Sequence, residues 1–326
     1  MSSTAADEGT VVVGVLYPPA WYGDHAGFAK ALATLEAIDP RIEVVAETYV
    51  EPHDLRSARG KPGAETHRGE APTLTQEQRA ALARVQVALA IDLPFDVREV
   101  APNLAWVQAV GAGTGQLQSA GLAEHGIRLT TAAGANAVAI AEFALARVLQ
   151  VWKRFGEIED AQRRHQWEPL YGEQLAGGSL GLLGLGAINS AVAARAQAFG
   201  LRVLATRRSA TPGATAPDVD ELYPPDALHT MLGRCDAVVA AVPETAETTG
   251  LFDAAAFAAM RAGSFFCNVG RGSLVDESAL IDALDRGHLR AAALDVASVE
   301  PLPADSPLWN APNLYLSPHS AAAPAR

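Results

Sequence analysis

The sequence has 326 residues, which is long for one domain and ordinary for two. Its formal net charge of −12 argues against a general nucleic-acid binder, which normally carries a basic face. Two cysteines, Cys235 and Cys267, are too few for a disulfide-built secreted protein. The N-terminus does not resemble a signal peptide, and no run of about 18 apolar residues predicts a membrane span. We therefore expect a cytoplasmic protein that binds neither a membrane nor nucleic acid.

The first part of the chain alternates short apolar strands with helices, which is typical of a parallel sheet built from βαβ units. Strands are predicted at residues 11–16, 42–45, 85–91 and 104–110. Helices are predicted at residues 28–38 and from a Thr75–Gln78 capping box to Arg84. Residues 51–72 have almost no apolar side chains. They predict a long exposed loop, either a solvated insertion or a mobile flap near a cleft.

The segment 136–155 has apolar residues on nearly every side. Such a helix must be covered all round, so it could link the two domains or form part of a subunit interface. A second α/β series starts at Ser179, with strands predicted at 180–183, 202–205, 237–241, 264–268, 291–296 and 314–316. This order predicts a doubly wound dinucleotide-binding domain with a parallel sheet.

A glycine-rich loop follows the first strand of the second series. Gly184 permits a tight turn, and Gly186 lets the backbone approach a pyrophosphate at the N-terminus of the next helix. The pattern is G-x-G-x-x-N, since Asn189 stands where a third glycine is usual. The position between strand and helix favours a nucleotide site over a turn without a ligand.

The next strand ends at Thr206, Arg207, Arg208 and Ser209, about 20 residues past the loop, where an NAD site usually has an acidic residue. Guanidinium groups bind a phosphate dianion in a bidentate manner. The two arginines therefore favour the 2′-phosphate of NADP, with NAD as the second choice and a solvated basic turn as the alternative.

Charged side chains follow three of the later strands: Arg271, Glu300 and His319. Because the carboxyl ends of parallel strands line the ligand crevice, we expect these side chains to converge. His319 would supply a proton near neutral pH, oriented by Glu300, which raises the pKa of the imidazole. Arg271 would bind a substrate carboxylate and polarise the adjacent carbonyl. Singly, each residue could be structural; together they predict hydride transfer between NADP(H) and a small 2-oxo or 2-hydroxy acid, without a metal.

Three stretches resemble the D-isomer-specific 2-hydroxyacid dehydrogenases almost throughout: AVPETAETTGLF, MRAGSFFCNVGRGSLVDESALIDALDRGHLRAAALDV and EPLPADSPLWNAPNLYLSPH. The resemblance covers most of the chain and is strongest from Leu175 to His319. It implies an α/β protein with two doubly wound parallel-sheet domains. A Rossmann cofactor domain at 132–316 is inserted into a flavodoxin-like substrate domain at 1–131, and the chain starts to return to the latter at 317–326.

The resemblance also implies roles for individual residues. Arg271 matches the substrate arginine, and Glu300 and His319 match the acid/base pair. Ala112 and Gly113 match the turn whose amides receive the substrate carboxylate. Arg207, beside Arg208, replaces the usual nucleotide acid, as in the NADP-preferring glyoxylate/hydroxypyruvate reductases. The implied cofactor contacts also include Gly184, Gly186, Ala187, Ile188, Val242, Pro243, Thr248, Val269, Gly270 and, at the nicotinamide carboxamide, Asp295. The helix from Asn136 resembles the part that builds a homodimer.

Three features depart from the family pattern. Asn189 replaces a glycine, Gly115 stands where a polar residue is usual, and members continue with a returning helix beyond the point where this sequence ends. Among rival functions, an NADP(H)-sensing corepressor-like protein would be favoured by loss of the Arg–Glu–His set, and a formate-oxidising enzyme by glutamine in place of Glu300. A purely structural domain is disfavoured by the joint site. The substrate stays open, from glyoxylate to phenylpyruvate.

Overall fold

A computed structural model describes residues 9–22, 24–61, 63–211 and 213–322. The chain divides into two compact units, Met1–Ala133 and Gly134–Arg326. This division places residues 317–322 in the second unit, and the boundaries expected for the substrate and cofactor domains stay predictions. No helix among the described residues has both the length and the apolar character needed to cross a bilayer.

The first unit contains a parallel sheet of five strands in the order β2-β1-β3-β4-β5. This is a doubly wound order, as the strand and helix alternation predicts. The strands are β1 Val11–Val15, β2 Ile42–Ala46, β3 Val87–Ala90, β4 Trp106–Ala109 and β5 Arg128–Thr131. The helices are α1 His25–Glu36, α2 His53–Arg59, α3 Gln76–Leu82, α4 Val97–Val100 and α5 Gly115–Gln118. The capping box is confirmed, because Thr75 and Gln78 exchange both hydrogen bonds at the start of α3.

Most described residues of 51–72 are exposed, as their composition predicts, but they do not form a loop. They contain α2 and a 3-10 helix at Ala64–Glu70, and the side chains of Glu51 and Arg59 are completely buried. The prediction was wrong for these two residues because it treated every charged residue as a surface residue. A buried charge is tolerated when it is paired and hydrogen-bonded, and composition does not show such pairs.

The Arg59 guanidinium is paired on several sides. It forms an ion pair with Glu51, Nη1 donates to the carbonyl of Leu93 at 2.6 Å, and Nε donates to Ser119 Oγ at 2.9 Å. The guanidinium carbon lies 3.8 Å from the centre of the Phe95 ring. Arg59 thus ties α2 to the segments that follow β3 and precede β5.

We expect Arg59→Ala to lower the free energy of unfolding of the first unit by about 3–5 kcal/mol, because it leaves the Glu51 carboxylate buried without its cation. Urea titration followed by circular dichroism measures this change. The matched control is Arg84→Ala, which removes an exposed ion pair with Glu43 and should cost about 1 kcal/mol or less. Equal, small effects of both substitutions would contradict a structural role for Arg59.

The second unit contains a parallel sheet of seven strands in the order β12-β11-β10-β9-β6-β7-β8. Its strands are β6 Ser179–Leu183, β7 Arg202–Thr206, β8 Glu221–Tyr223, β9 Ala237–Ala240, β10 Ser264–Asn268, β11 Leu289–Leu294 and β12 Leu314–Leu316. Its helices are α6 Ala137–Trp152, α7 Phe155–Arg163, α8 Ala187–Ala198, α9 Leu228–Leu232, α10 Ala254–Ala259 and α11 Glu277–Asp285. The short strand β8 lies outside the sequence-based predictions, since its three half-buried residues give no apolar run.

One face of α6 packs in the core of the second unit beside β6, β7 and β10, with Ala141, Ala144 and Val148 almost fully buried. The opposite face is less covered, and Val138 is 51% exposed. Within the unit described by itself, α6 is therefore covered on one side.

Candidate active site

The glycine loop between β6 and α8 has the shape that a dinucleotide phosphate group requires. Gly184 has a φ of 78°, and a Cβ there would lie 2.4 Å from a methyl carbon of Val242. Gly186 is exposed and has no atom within 4 Å of the position a Cβ would take. No side chain caps the start of α8. The amides of Ala187 and Ile188, the first residues of this helix, are thus open to an anionic group such as a pyrophosphate.

Asn189 shows how the loop works without a third glycine. Its side chain is fully buried, and Nδ2 donates to the carbonyls of Leu183 at 2.9 Å and Gly184 at 2.7 Å. These bonds join the first turn of α8 to the end of β6. The Asn189 hydrogen bonds therefore connect helix and strand where a third glycine would let them pack closely. The sequence pattern alone does not reveal these bonds.

The end of β7 separates the four residues predicted for the 2′-phosphate into two groups. Thr206 is buried, and its Oγ1 accepts a hydrogen bond from the Gly184 amide at 3.0 Å. It therefore shapes the glycine loop. Arg207, Arg208 and Ser209 are exposed. The Arg207 side chain has no hydrogen bond or ion pair with any residue that the structure describes, so its guanidinium is available to a ligand phosphate.

The hydroxyl of Thr248 forms hydrogen bonds across the loop that follows β9. Thr248 Oγ1 donates to the Pro243 carbonyl at 2.7 Å and accepts from the Thr245 amide at 2.8 Å. Thr248 thus holds the predicted cofactor-contacting residues Val242 and Pro243 in a turn beside the glycine loop. The hydroxyl of Thr248 has a structural partner on each side.

The loop after β10 carries Arg271 between two glycines. A Cβ on Gly270 would lie 2.9 Å from the Val242 carbonyl oxygen, and one on Gly272 would lie 1.9 Å from the Ala297 carbonyl oxygen. Only glycines allow this loop to lie directly against the loops that follow β9 and β11. Arg271 Nη1 donates to the Gly270 carbonyl at 2.7 Å, which fixes one side of the guanidinium.

Asn268 is a site residue that the sequence-based predictions omit. It is fully buried at the end of β10, beside Val269. Its Oδ1 accepts from the Gly270 amide at 3.0 Å, and its Nδ2 donates to the Arg271 carbonyl at 2.9 Å. The signal was an asparagine ending an apolar strand, where a buried amide needs partners in the following loop. Asn268 therefore clamps the loop that presents Arg271.

Glu300 and His319 form the expected pair. Glu300 Oε2 lies 2.9 Å from His319 Nδ1, and Oε1 accepts from the Ala297 amide at 3.0 Å. This hydrogen bond raises the pKa of His319, against the opposing effects of burial and of the Arg271 charge. Since Gly272 lies on Ala297, the Arg271 loop and the Glu300 loop are in direct contact. The structure thus brings Arg271, Glu300 and His319 to one region of the second unit.

Asp295 is buried at the end of β11, and its carboxylate faces the segment that carries His319. Oδ1 accepts from Ser317 Oγ at 2.7 Å, from the Ser320 amide at 2.9 Å and from the Ala321 amide at 3.1 Å. The family resemblance implies that Asp295 contacts a nicotinamide carboxamide. In the structure its nearest partners belong to the protein itself.

Ala112 and Gly113 lie in the first unit, directly after β4, and are exposed. Their amides donate to no acceptor in the part of the chain that the structure describes, so the turn presents free donors. Gly115, two residues on, starts α5 against Gly60. A Cβ on Gly115 would lie 2.9 Å from the Gly60 Cα, which excludes a polar side chain there. This close approach of α2 and α5 explains the departure from the family pattern.

Comparisons with known proteins agree with this architecture. Residues 145–321 match the family described as D-isomer specific 2-hydroxyacid dehydrogenase, NAD binding domain. The chain is 36% identical over 241 residues to D-3-phosphoglycerate dehydrogenase of Mycobacterium leprae (strain TN), covering 73% of this chain and 45% of that protein. It is 33% identical over 240 residues to glyoxylate reductase of Thermofilum pendens (strain DSM 2475 / Hrk 5), covering 70% of this chain and 68% of that protein.

A solved structure shares the fold along nearly the whole chain. The NADPH-dependent glyoxylate/hydroxypyruvate reductase from Sinorhizobium meliloti, in complex with NADP and sulfate, superposes with a TM-score of 0.72 at 26% identity. The match covers 97% of this chain and 90% of that one. The chain spans less than half the length of the mycobacterial relative. The family match, the two parallel sheets and these relatives together show that the chain belongs to the D-isomer-specific 2-hydroxyacid dehydrogenase family and carries its NAD-binding domain.

Proposed function

We propose that this protein reduces small 2-oxo acids to 2-hydroxy acids with NADPH, using Arg271, Glu300 and His319. The observation that carries the proposal is the 2.9 Å hydrogen bond between Glu300 and His319. The loop that holds Glu300 also contacts the loop that holds Arg271. An orienting carboxylate on an imidazole, beside a guanidinium, suits proton transfer to a carbonyl next to a carboxylate.

His319 is the proposed proton donor. Its Nδ1 bonds to the Glu300 carboxylate, so Nδ1 carries a hydrogen and Nε2 is the atom left to face a substrate. As the carbonyl π bond breaks, the oxygen takes the proton from Nε2 and becomes the hydroxyl. Glu300 stays ionised and stabilises the imidazolium before transfer. In the oxidative direction the same nitrogen receives the hydroxyl proton.

Arg271 is the proposed substrate clamp. With Nη1 bonded to the Gly270 carbonyl, the remaining guanidinium hydrogens can bind a carboxylate and the adjacent carbonyl oxygen. This contact would hold the acid in one orientation and stabilise negative charge developing on the oxygen. The role of Ala112 and Gly113 in receiving a substrate carboxylate, which the family resemblance implies, stays a prediction.

The glycine loop, the turn after β9 and the end of β7 are proposed to hold the dinucleotide. Gly184, Gly186 and the amides that begin α8 would receive the pyrophosphate, and Arg207 with Arg208 and Ser209 would receive the 2′-phosphate. When bound, NADPH supplies the hydride that reduces the carbonyl carbon. The exposed Arg207, which pairs with no described residue, and the NADP complex of the Sinorhizobium meliloti relative support NADP over NAD.

We expect Arg207→Asp to lower the ratio of kcat/KM for NADPH to kcat/KM for NADH by about a hundredfold. The substitution removes a charge-assisted hydrogen bond to the 2′-phosphate and adds repulsion. Initial rates with each cofactor measure the ratio. Arg286→Asp makes the same charge change just after α11 and should leave the ratio unaltered. An unchanged ratio in Arg207→Asp would refute the 2′-phosphate contact.

The proposed function is tested by measuring oxidation of NADPH and NADH with a panel of 2-oxo acids, from glyoxylate and hydroxypyruvate to phenylpyruvate. Turnover with NADPH that depends on the 2-oxo acid supports the proposal, and the rates define the acid's size. Tight NADPH binding without turnover across the panel would contradict it and favour an NADP(H)-sensing protein.

A homodimer is also proposed. The less covered face of α6, where Val138 is 51% exposed and Glu142 and Ala146 are also exposed, is the surface that a second subunit would cover.

A further inference from the structure

His319 has an unusual backbone conformation. Its φ is 52°, in the left-handed region that residues other than glycine seldom occupy. Its amide donates to the Asp295 carbonyl at 2.7 Å and to the Ser317 carbonyl at 3.1 Å. A residue keeps such a conformation only when its surroundings impose it, and such residues are concentrated at functional sites. The Asp295 side chain is the group best placed to impose it.

Asp295 binds the chain on both sides of His319. Ser317 Oγ donates to Oδ1 from the residue before Pro318, and the amides of Ser320 and Ala321 donate to the same carboxylate from the residues after His319. Asp295 is only 3% exposed, so water cannot readily replace these partners. Hydrogen bonds to an ionised group are roughly twice as strong as neutral ones.

We propose that Asp295 is a positioning residue whose carboxylate holds the segment from Ser317 to Ala321 in the turn that places the His319 ring against Glu300. This inference rests on the proposed function, since it gives Asp295 a part in the same site. If the carboxylate loses its partners, the turn can relax to a more favourable φ, and the imidazole then leaves Glu300 for part of the time. The proton donor would be present but misplaced.

This role is separable from the predicted contact of Asp295 to the cofactor. Oδ1 accepts three of the protein's hydrogen bonds, whereas Oδ2 accepts one, from the Ala321 amide at 3.0 Å. Oδ2 therefore keeps capacity for another donor. Ser317→Ala removes a bond to Oδ1 and leaves the charge and Oδ2 in place. It thus tests positioning without altering the oxygen that keeps capacity for another donor.

The experiment compares Ser317→Ala with Ser298→Ala, an exposed serine near Glu300 whose hydroxyl bonds to no described residue. Ser317→Ala should lower kcat for the reduced 2-oxo acid about tenfold, as expected for one hydrogen bond to a charged group, with the Kd of NADPH changed less than about twofold. Ser298→Ala should change neither. Asp295→Asn should lower kcat further. The double variant with both substitutions should lose less kcat than the product of the two single losses, since both substitutions act through one contact.

A second readout does not require activity. The His319 pKa is measured by NMR titration of the unliganded protein with labelled histidine, its signal assigned by loss in His319→Ala. Glu300, Arg271 and Asp295, the charged groups that act on His319, are all retained in Ser317→Ala. A lower His319 pKa in Ser317→Ala than in the wild type therefore reports lost contact with Glu300.

Wild-type kcat and an unshifted His319 pKa in Ser317→Ala would overturn the positioning role while leaving the proposed function intact. If the wild type reduces no 2-oxo acid, the proposed function fails, and the NMR titration still decides the role of Asp295. Circular dichroism and thermal unfolding of each variant show that the fold is kept. If Asp295→Asn does not fold, Ser317→Ala alone carries the test.

Discussion

Replacing His319 by alanine should lower kcat for reduction of a 2-oxo acid about a thousandfold, which is within the range for loss of a general acid. The Kd of NADPH should change less than about threefold, because the residues proposed to hold the dinucleotide lie in other loops. Steady-state kinetics and fluorescence titration with NADPH measure the two quantities. Removal of the only proposed proton donor thus separates the chemical step from cofactor binding.

The control for this substitution is His229→Ala, an exposed histidine in α9 whose imidazole forms no ion pair or hydrogen bond with a described residue. It should leave both quantities at their wild-type values. Normal turnover in His319→Ala would exclude this residue as the acid, because protonation would then proceed without its imidazole.

The pH dependence supplies a further check on the same pair. Reduction needs protonated His319, so the rate is full below the His319 pKa and falls as pH rises through it. The bond to Glu300 raises that pKa. Glu300→Gln removes the negative charge, so the fall in rate should begin at a lower pH than in the wild type.

Arg271→Ala should lower kcat/KM for 2-oxo acids roughly a thousandfold, with KM raised and kcat reduced. The guanidinium is proposed to bind the carboxylate in both the bound and the transition state, and to stabilise charge on the carbonyl oxygen only in the latter. Arg271→Lys should recover part of the loss, because a lysine keeps the charge but not the planar fork. Steady-state kinetics at saturating NADPH measure each parameter.

An uncharged substrate distinguishes carboxylate binding from a general loss of structure. With a 2-oxo amide in place of the 2-oxo acid, the wild type and Arg271→Ala should differ much less, since the carboxylate is absent from both reactions. An Arg271→Ala variant with wild-type kinetics toward 2-oxo acids would mean that another group binds the carboxylate.

Much of the fold was predictable because its signals are local. Short apolar strands alternating with helices predict parallel sheets, and both sheets have doubly wound orders. Arg271, Glu300 and His319 each follow a strand, and the carboxyl ends of parallel strands share one edge of the sheet. The proximity of these three residues could therefore be predicted from the strand assignment alone, without any interatomic distance.

Other features depend on residues far apart in the sequence, and periodicity does not report them. Arg59 is buried because Glu51, Leu93 and Ser119 surround it, so two charged residues of a mostly exposed polar stretch lie in the packed interior. Gly115 is a glycine because α2 passes directly against α5. Neither effect can be read from composition, because each requires the path of the chain to bring a specific partner into contact.

The sequence by itself determined the two sheets, the nucleotide loop and the identity of the Arg–Glu–His set, since these follow from hydrophobic patterning, glycine spacing and positions at strand ends. Only the tertiary structure decided what Asn189 and Asp295 contact. Asn189 bonds the glycine-loop carbonyls, and Asp295 binds the turn that carries His319 across 22 to 26 positions of sequence. A buried polar side chain takes the partners that packing leaves within reach, and packing is a property of the folded chain.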